Sequence, residues 1–219
     1  MTENLGRILV RRRVGSEPFT DGENSLGLDL LSFWQWSASD LVSNMARGVL
    51  AEYLVATALG IDVSGVRDGW AAYDLCTPSG VKVEVKSAAY LQSWNQSKPS
   101  AVSFRTPRTR AWDPDTNRLE AEAKRQADVY IFAILAHRQK STLNPCDVSQ
   151  WEFHVLRAQI LNERTRSQHS ITLPTLTRLS GGPVVYRDLA EKVREAVLGT
   201  GAVQQAVAAD GRPQTAARR

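Results

Sequence analysis

Cysteine is scarce. Cys76 and Cys146 stand far apart, and neither belongs to a CxxC pair or a Cys/His cluster. That argues against structural zinc and a disulfide framework, and two buried intracellular thiols are expected. Histidine is also sparse: His137, His154 and His169 are scattered, and His154 alternates within an apolar run as an interior residue would. No GxSxG, GxxxxGK[ST] or GxGxxG occurs, which removes the usual hydrolase-elbow and nucleotide-binding readings. The longest clean apolar run, 129–136, is too short to span a bilayer. The polar N-terminus is broken by Gly6 and Arg7, so no signal peptide is expected and a reducing cytoplasm is the default. There are no internal repeats.

What is present suffices for one sizeable core: 219 residues, 42% of them hydrophobic. A single domain is expected, preceded by an arm and lead-in over 1–38 and followed by a disordered tail over 199–219. Lys and Arg exceed Asp and Glu by 27 to 23. This mild excess fits a partner with phosphates without demanding one.

The most informative stretch is 72–86, AYDLCTPSGVKVEVK. It reads as a β-hairpin turning at Pro78-Ser79-Gly80. On its second arm Val81, Val83 and Val85 point one way and Lys82, Glu84 and Lys86 the other. Glu84 and Lys86 are therefore neighbours, about 7 Å apart along the strand. Asp74, on the first arm, comes within reach of Glu84 across the pair. Two carboxylates brought together are costly unless a cation sits between them.

Around the hairpin, Ser39 or Asp40 caps a helix that runs to Leu59 and stops at Gly60. Its apolar stripe comprises Leu41, Met45, Gly48, Val49, Ala56 and Leu59, and Glu52 falls on that stripe. A carboxylate there needs a partner: a backbone group, an arginine or a metal site. Gln92 and Gln96 share a face if 87–96 forms a helical turn. A third strand is expected over 102–106, ended by Pro107. A charged helix follows over 117–126, a fully buried central strand over 128–136, and a further strand over 151–157. Peripheral helical pieces are expected at 158–163, 173–179 and 188–198. Before the capped helix, Ile8–Val10 suggests a short strand, 15–26 is turn-rich, and Trp34 and Trp36 are expected to pack against the domain. The fold class is α/β, a central mixed sheet flanked by helices.

This order, together with Asp74, nine residues, and then Glu84-Val85-Lys86, resembles the PD-(D/E)xK nuclease superfamily, the restriction-endonuclease-like fold with its αβββαβ core. The similarity covers roughly 39–157, within a nuclease-like domain expected over 39–198. Tyr73 stands where the name-giving pattern has proline. The resemblance implies a metal-dependent endonuclease that hydrolyses DNA phosphodiester bonds in a restriction, repair or mobile-element setting, leaving 5′-phosphate and 3′-hydroxyl ends. It implies Asp74, Glu84, Lys86 and Glu52 as catalytic residues. It also implies Mg²⁺ or Mn²⁺ held by Asp74, Glu84, Glu52 and the Val85 carbonyl. Lys86 would position or deprotonate the nucleophile, or else stabilise the transition state.

Nucleic-acid contacts are expected from Asn44 and Arg47 on the helix and from Ser87, Gln92 and Gln96 near the motif. Lys98, Arg105, Arg108 and Arg110 extend them, with Arg118, Lys124 and Arg125 further on and Trp94 and Trp112 interleaved. DNA is expected ahead of RNA. A junction-selective variant would require a homodimer so that two strands are cut symmetrically. The alternatives are an RNA-directed nuclease and a non-catalytic nucleic-acid-binding module on the same fold.

Overall fold

A computed structural model describes residues 4–164 and 169–199. In chain order these form β1 (Pro18–Asp21), β2 (Asn24–Asp29), α1 (Leu30–Ala38), α2 (Asn44–Ala58), β3 (Leu75–Cys76) and β4 (Lys82–Ala89). There follow β5 (Ser103–Arg105), β6 (Trp112–Asp113), β7 (Arg118–Leu119), β8 (Val129–Leu135), β9 (Trp151–Arg157), α3 (Ala158–Glu163), β10 (Ser170–Thr172), α4 (Leu173–Ser180) and α5 (Leu189–Leu198). The central sheet is four-stranded and mixed, in the order β3-β4-β8-β9. β4 runs parallel to β8, and the other two pairs are antiparallel.

The expected α/β architecture, a mixed sheet flanked by helices, is present. All seven residues of β8 are buried, because helices or loops cover both faces of the sheet. On one face Val83, Val85, Ile131 and Phe153 pack with Ala51, Leu54 and Val55 of α2 and with Leu189 and Val193 of α5. On the other, Phe104, Tyr130, Phe132, Leu156, Leu161 and Leu176 form a second cluster. The alternation read from β4 therefore holds: its valines face α2, while Glu84 and Lys86 face the opposite side.

α2 starts later than expected. Asp40 accepts the N–H groups of Val42 and Ser43 (both 3.1 Å), forming a turn of its own, and Ser43 becomes the N-cap. The helix ends where expected. Gly60 takes φ +67°, and the Ile61 N–H reaches back to the Ala56 carbonyl (2.9 Å). The expected stripe is only partly in the core. Ala56 is buried, whereas Met45 and Val49 are exposed, and Arg47, Ala51, Leu54 and Val55 take the core side.

Five other expectations are corrected. The 102–106 strand forms as β5, but it pairs with β10 outside the central sheet. The 117–126 helix does not exist: Asp113 caps a tight turn through Asp115 N–H and the Thr116 hydroxyl, Asn117 adopts φ +54°, and β6 pairs with β7. Both cysteines are exposed rather than buried. Trp36 does not pack on the domain and is 85% exposed, with Trp34 at 40%. The Ile8–Val10 strand does not form, while 15–38 holds β1, β2 and α1. The tail expected from 199 onwards lies, beyond Gly199, outside the described residues. Among the described residues, no helix is long and apolar enough to cross a membrane.

Candidate active site

The hairpin turn sets the site. Gly80 adopts φ +84°, its N–H donates to the Thr77 carbonyl (2.9 Å), and the Thr77 N–H donates to the Val81 carbonyl (3.0 Å). Pairing then runs Cys76 to Lys82 and Leu75 to Val83, and the next step sets Asp74 opposite Glu84. The Asp74 N–H still donates to the Val83 carbonyl (3.1 Å) before the chain turns away. The Val85 N–H, left without a strand partner, donates to Asp74 Oδ2 at 2.7 Å. The carboxylate thus replaces a missing strand at the open edge of β4.

Burial, the negative charge of Glu84 and that of Glu52 push the Asp74 carboxyl up to about 6, against the opposing effects of the Val85 N–H and Lys86. Lys86 donates to Glu84 Oε1 at 2.5 Å. Tyr130 lies beside Glu84 in the parallel ladder. Burial, with Glu84 and Asp74 adding, pushes its hydroxyl up to about 12. Tyr130 is a neighbour of the site that the sequence alone does not single out. Its only sequence signal is a polar-tipped aromatic inside the otherwise apolar run that becomes β8.

Glu52 approaches Asp74 from α2. Arg67, also missed from sequence, forks onto Glu52, with Nη2 donating to Oε1 at 2.9 Å and Nε to the other oxygen. One of the partners expected for Glu52, an arginine, is therefore present. Val49, Glu52 and Ala56 line a cleft of about 350 Å³, completed by Arg67, Asp74 and Cys76. That explains an acid on the stripe: part of the stripe faces this cleft rather than the core. The loop that carries Arg67 is aimed here by the turn at Gly60.

Other sequence-predicted residues fall into two groups. Arg47 and Gln92 are buried and joined, with Arg47 also donating to the Val42 carbonyl and to Asn44 Oδ1 (both 2.7 Å). The 87–96 stretch is not helical beyond β4. Gln96 instead accepts the Gln92 N–H (2.7 Å) and ties the loop to Tyr90 and Ser100. These side chains shape the end of β4. Lys98, Arg105, Arg108 and Arg110 are exposed, and Ser87 is half-buried on β4. Arg125 is buried and donates to the Thr106 carbonyl and to Asn162. Among the described residues, no three His, Cys, Asp or Glu side chains stand grouped so as to enclose a metal ion.

The family model for bacteriophage T4 endonuclease IV matches residues 30–173, well over half of the chain and the whole of this site. The chain belongs to that family, and the match supports an endonuclease role. No curated protein and no solved structure matches it.

Proposed function

We propose that the chain is a divalent-metal-dependent DNA endonuclease of the PD-(D/E)xK type, with Asp74, Glu84 and Lys86 as its catalytic centre. The observation that carries this reading is the Asp74 carboxyl, held close to Glu84 and Glu52 at an open sheet edge and raised to about 6. Carboxylates crowded together beside a cleft, with a lysine at hand, are the kind of arrangement that marks a functional site.

The donors fit a hard ion. They are carboxylate oxygens with no imidazole among them, and Mg²⁺ is commonly bound by one or two carboxylates while it keeps several waters. The absence of a preformed three-acid cage is compatible with such a site. Asp74 and Glu84 would hold the ion, with the Val85 carbonyl beside them and Glu52 acting from the cleft side. When bound, the ion would lower the pKa of a water and offset phosphodiester charge.

The chain's own residues do the rest. Asp74 and Glu84 concentrate negative charge at one point and so set where the cation and the scissile phosphate meet. Lys86, hydrogen-bonded to Glu84, places its side-chain nitrogen at the same point: as the ammonium it positions the nucleophile or stabilises developing charge, and as the neutral amine it would take the nucleophile's proton. Arg67 forms an ion pair with Glu52 on the cleft side. The exposed Lys98, Arg105, Arg108 and Arg110 supply phosphate contacts.

The test is incubation of the purified protein with plasmid, single-stranded DNA, a four-way junction and structured RNA, each with Mg²⁺, Mn²⁺ or EDTA, beside Asp74→Ala. Cutting that needs the metal and is lost in the variant supports the reading. Salt-sensitive binding without cutting in any condition replaces it with a binding module.

A further inference from the structure

We infer that residues 15–38 form a dimerisation unit, through which a second copy of this chain covers apolar side chains that the protein's own core leaves open. The unit is a two-stranded hairpin, β1-β2, capped by α1. Asp29 closes the start of the helix through a reciprocal bond with Ser32. Gly15 lets Leu31 and Trp34 approach closely, and Phe19 meets Phe33 edge-on at 6.4 Å. No residue of the unit is buried. Among the described residues, no hydrogen bond joins 15–38 to anything beyond residue 39. An isolated hairpin of this size is marginal in water, so the unit needs cover.

The cover has to suit six large side chains, Leu26, Leu28, Leu31, Phe33, Trp34 and Trp36, each between 40% and 85% exposed. At about 200 Å² for such a side chain fully exposed, they leave roughly 650 Å² open per protomer. That open apolar area is of the same order as the ~800 Å² per partner of a standard interface. Nucleic acid is a poor occupant. The charged residues of 15–38 are Glu17, Asp21, Glu23 and Asp29, all acidic, and a phosphate partner requires cations. A second copy fits best. A face repeated about a two-fold axis sets like against like, so it tolerates aromatic and aliphatic groups and penalises charges at its centre. Within 24–38 the one charge, Asp29, is already held at the helix N-terminus. Every copy then has its cover wherever the protein is present.

The test is sedimentation equilibrium of the full chain at micromolar concentration, with Trp36→Lys and Leu28→Lys. Both side chains are exposed in the single chain, so far-UV circular dichroism should be unchanged. The expected result is a mass twice that of one chain, with the dissociation constant raised about thirtyfold or more in each variant, the size of effect seen when a central anchor is lost. A monomeric wild-type protein, or a dimer indifferent to both substitutions, overturns the inference. So does a monomer whose tryptophan fluorescence DNA quenches in the wild type and not in Trp36→Lys, which would assign the face to nucleic acid.

Discussion

Asp74 is the residue on which the site's electrostatics turn. Its carboxyl has an ordinary value of 3.8 and is raised to about 6 in the folded chain. A raised acid stabilises the fold fully below 3.8 and gives that stability up as pH climbs through about 6. The loss is on the order of 3 kcal/mol, since one pKa unit corresponds to about 1.4 kcal/mol. Asp74→Asn keeps an oxygen for the Val85 N–H and removes the charge. In EDTA at pH 7 the variant should be more stable to urea than the wild type, and the two should converge near pH 4. A less stable variant at pH 7 would show that the ionised carboxylate is well solvated. Glu52 belongs to the same scale. Arg67 is 45% exposed, so their ion pair contributes little, about 1 kcal/mol or less. Glu52→Gln should leave the unfolding midpoint nearly unchanged and lower the Asp74 pKa, read by carboxyl-carbon NMR. It should also raise the Mg²⁺ concentration needed for half-maximal cleavage. An unchanged metal titration would remove Glu52 from the site.

At the scale of elements, the hairpin is the part most dependent on its turn. Gly80→Ala puts a Cβ at φ +84°, where it meets no neighbouring atom, so the cost is backbone strain alone, about 1 kcal/mol. The expected readout is a modest fall in stability with a larger fall in cleavage, because Asp74 is aligned only through this register. Equal losses of stability and cleavage would make the turn merely structural. The same hairpin was the most legible element in the sequence, because Val83, Val85, Glu84 and Lys86 alternate without interruption and Gly80 marks the reversal. β8 and β9 were legible from their apolar runs, and the C-terminal stop of α2 from Gly60. The start of α2 was not, since Asp40 and Ser43 are equally good caps and only the local turn decides between them. The stretch 117–126 has helical composition, but Asp113 and Asn117 commit it to a hairpin. Arg67 and Tyr130 reach the site by tertiary placement, from a loop and a neighbouring strand, and periodicity cannot report such meetings. Glu52 stands out in the sequence because a carboxylate on an apolar stripe is costly, and the cleft supplies the reason.

Across the whole molecule, two groups shifted by burial pull stability in opposite directions with pH. His154 is enclosed beside Ser180 (2.8 Å), and burial lowers its pKa from 6.5 to about 4. Its contribution is complete above 6.5 and is lost as pH falls towards 4, again on the order of 3 kcal/mol. Asp74 loses stability as pH rises through much of the same window. Their slopes therefore offset one another. Asp74→Asn should uncover a curve that rises from pH 4 to 6.5, and His154→Gln one that falls from pH 4 to 6. The pH slope, not the absolute stability, is the observable, because filling the His154 site with glutamine carries its own packing cost. Parallel curves for both variants and the wild type would mean that neither group is perturbed as described.

Lys86→Ala tests most directly whether the Asp74–Glu84–Lys86 cluster performs phosphodiester chemistry. Binding and Mg²⁺-dependent cleavage would be measured on the same DNA, with folding checked by circular dichroism. The expected result is a folded variant that binds DNA within about twofold of the wild type and cleaves it about 10²–10⁴-fold more slowly, the usual size of an acid–base or charge-stabilising contribution. A folded variant that cleaves at the wild-type rate would contradict it.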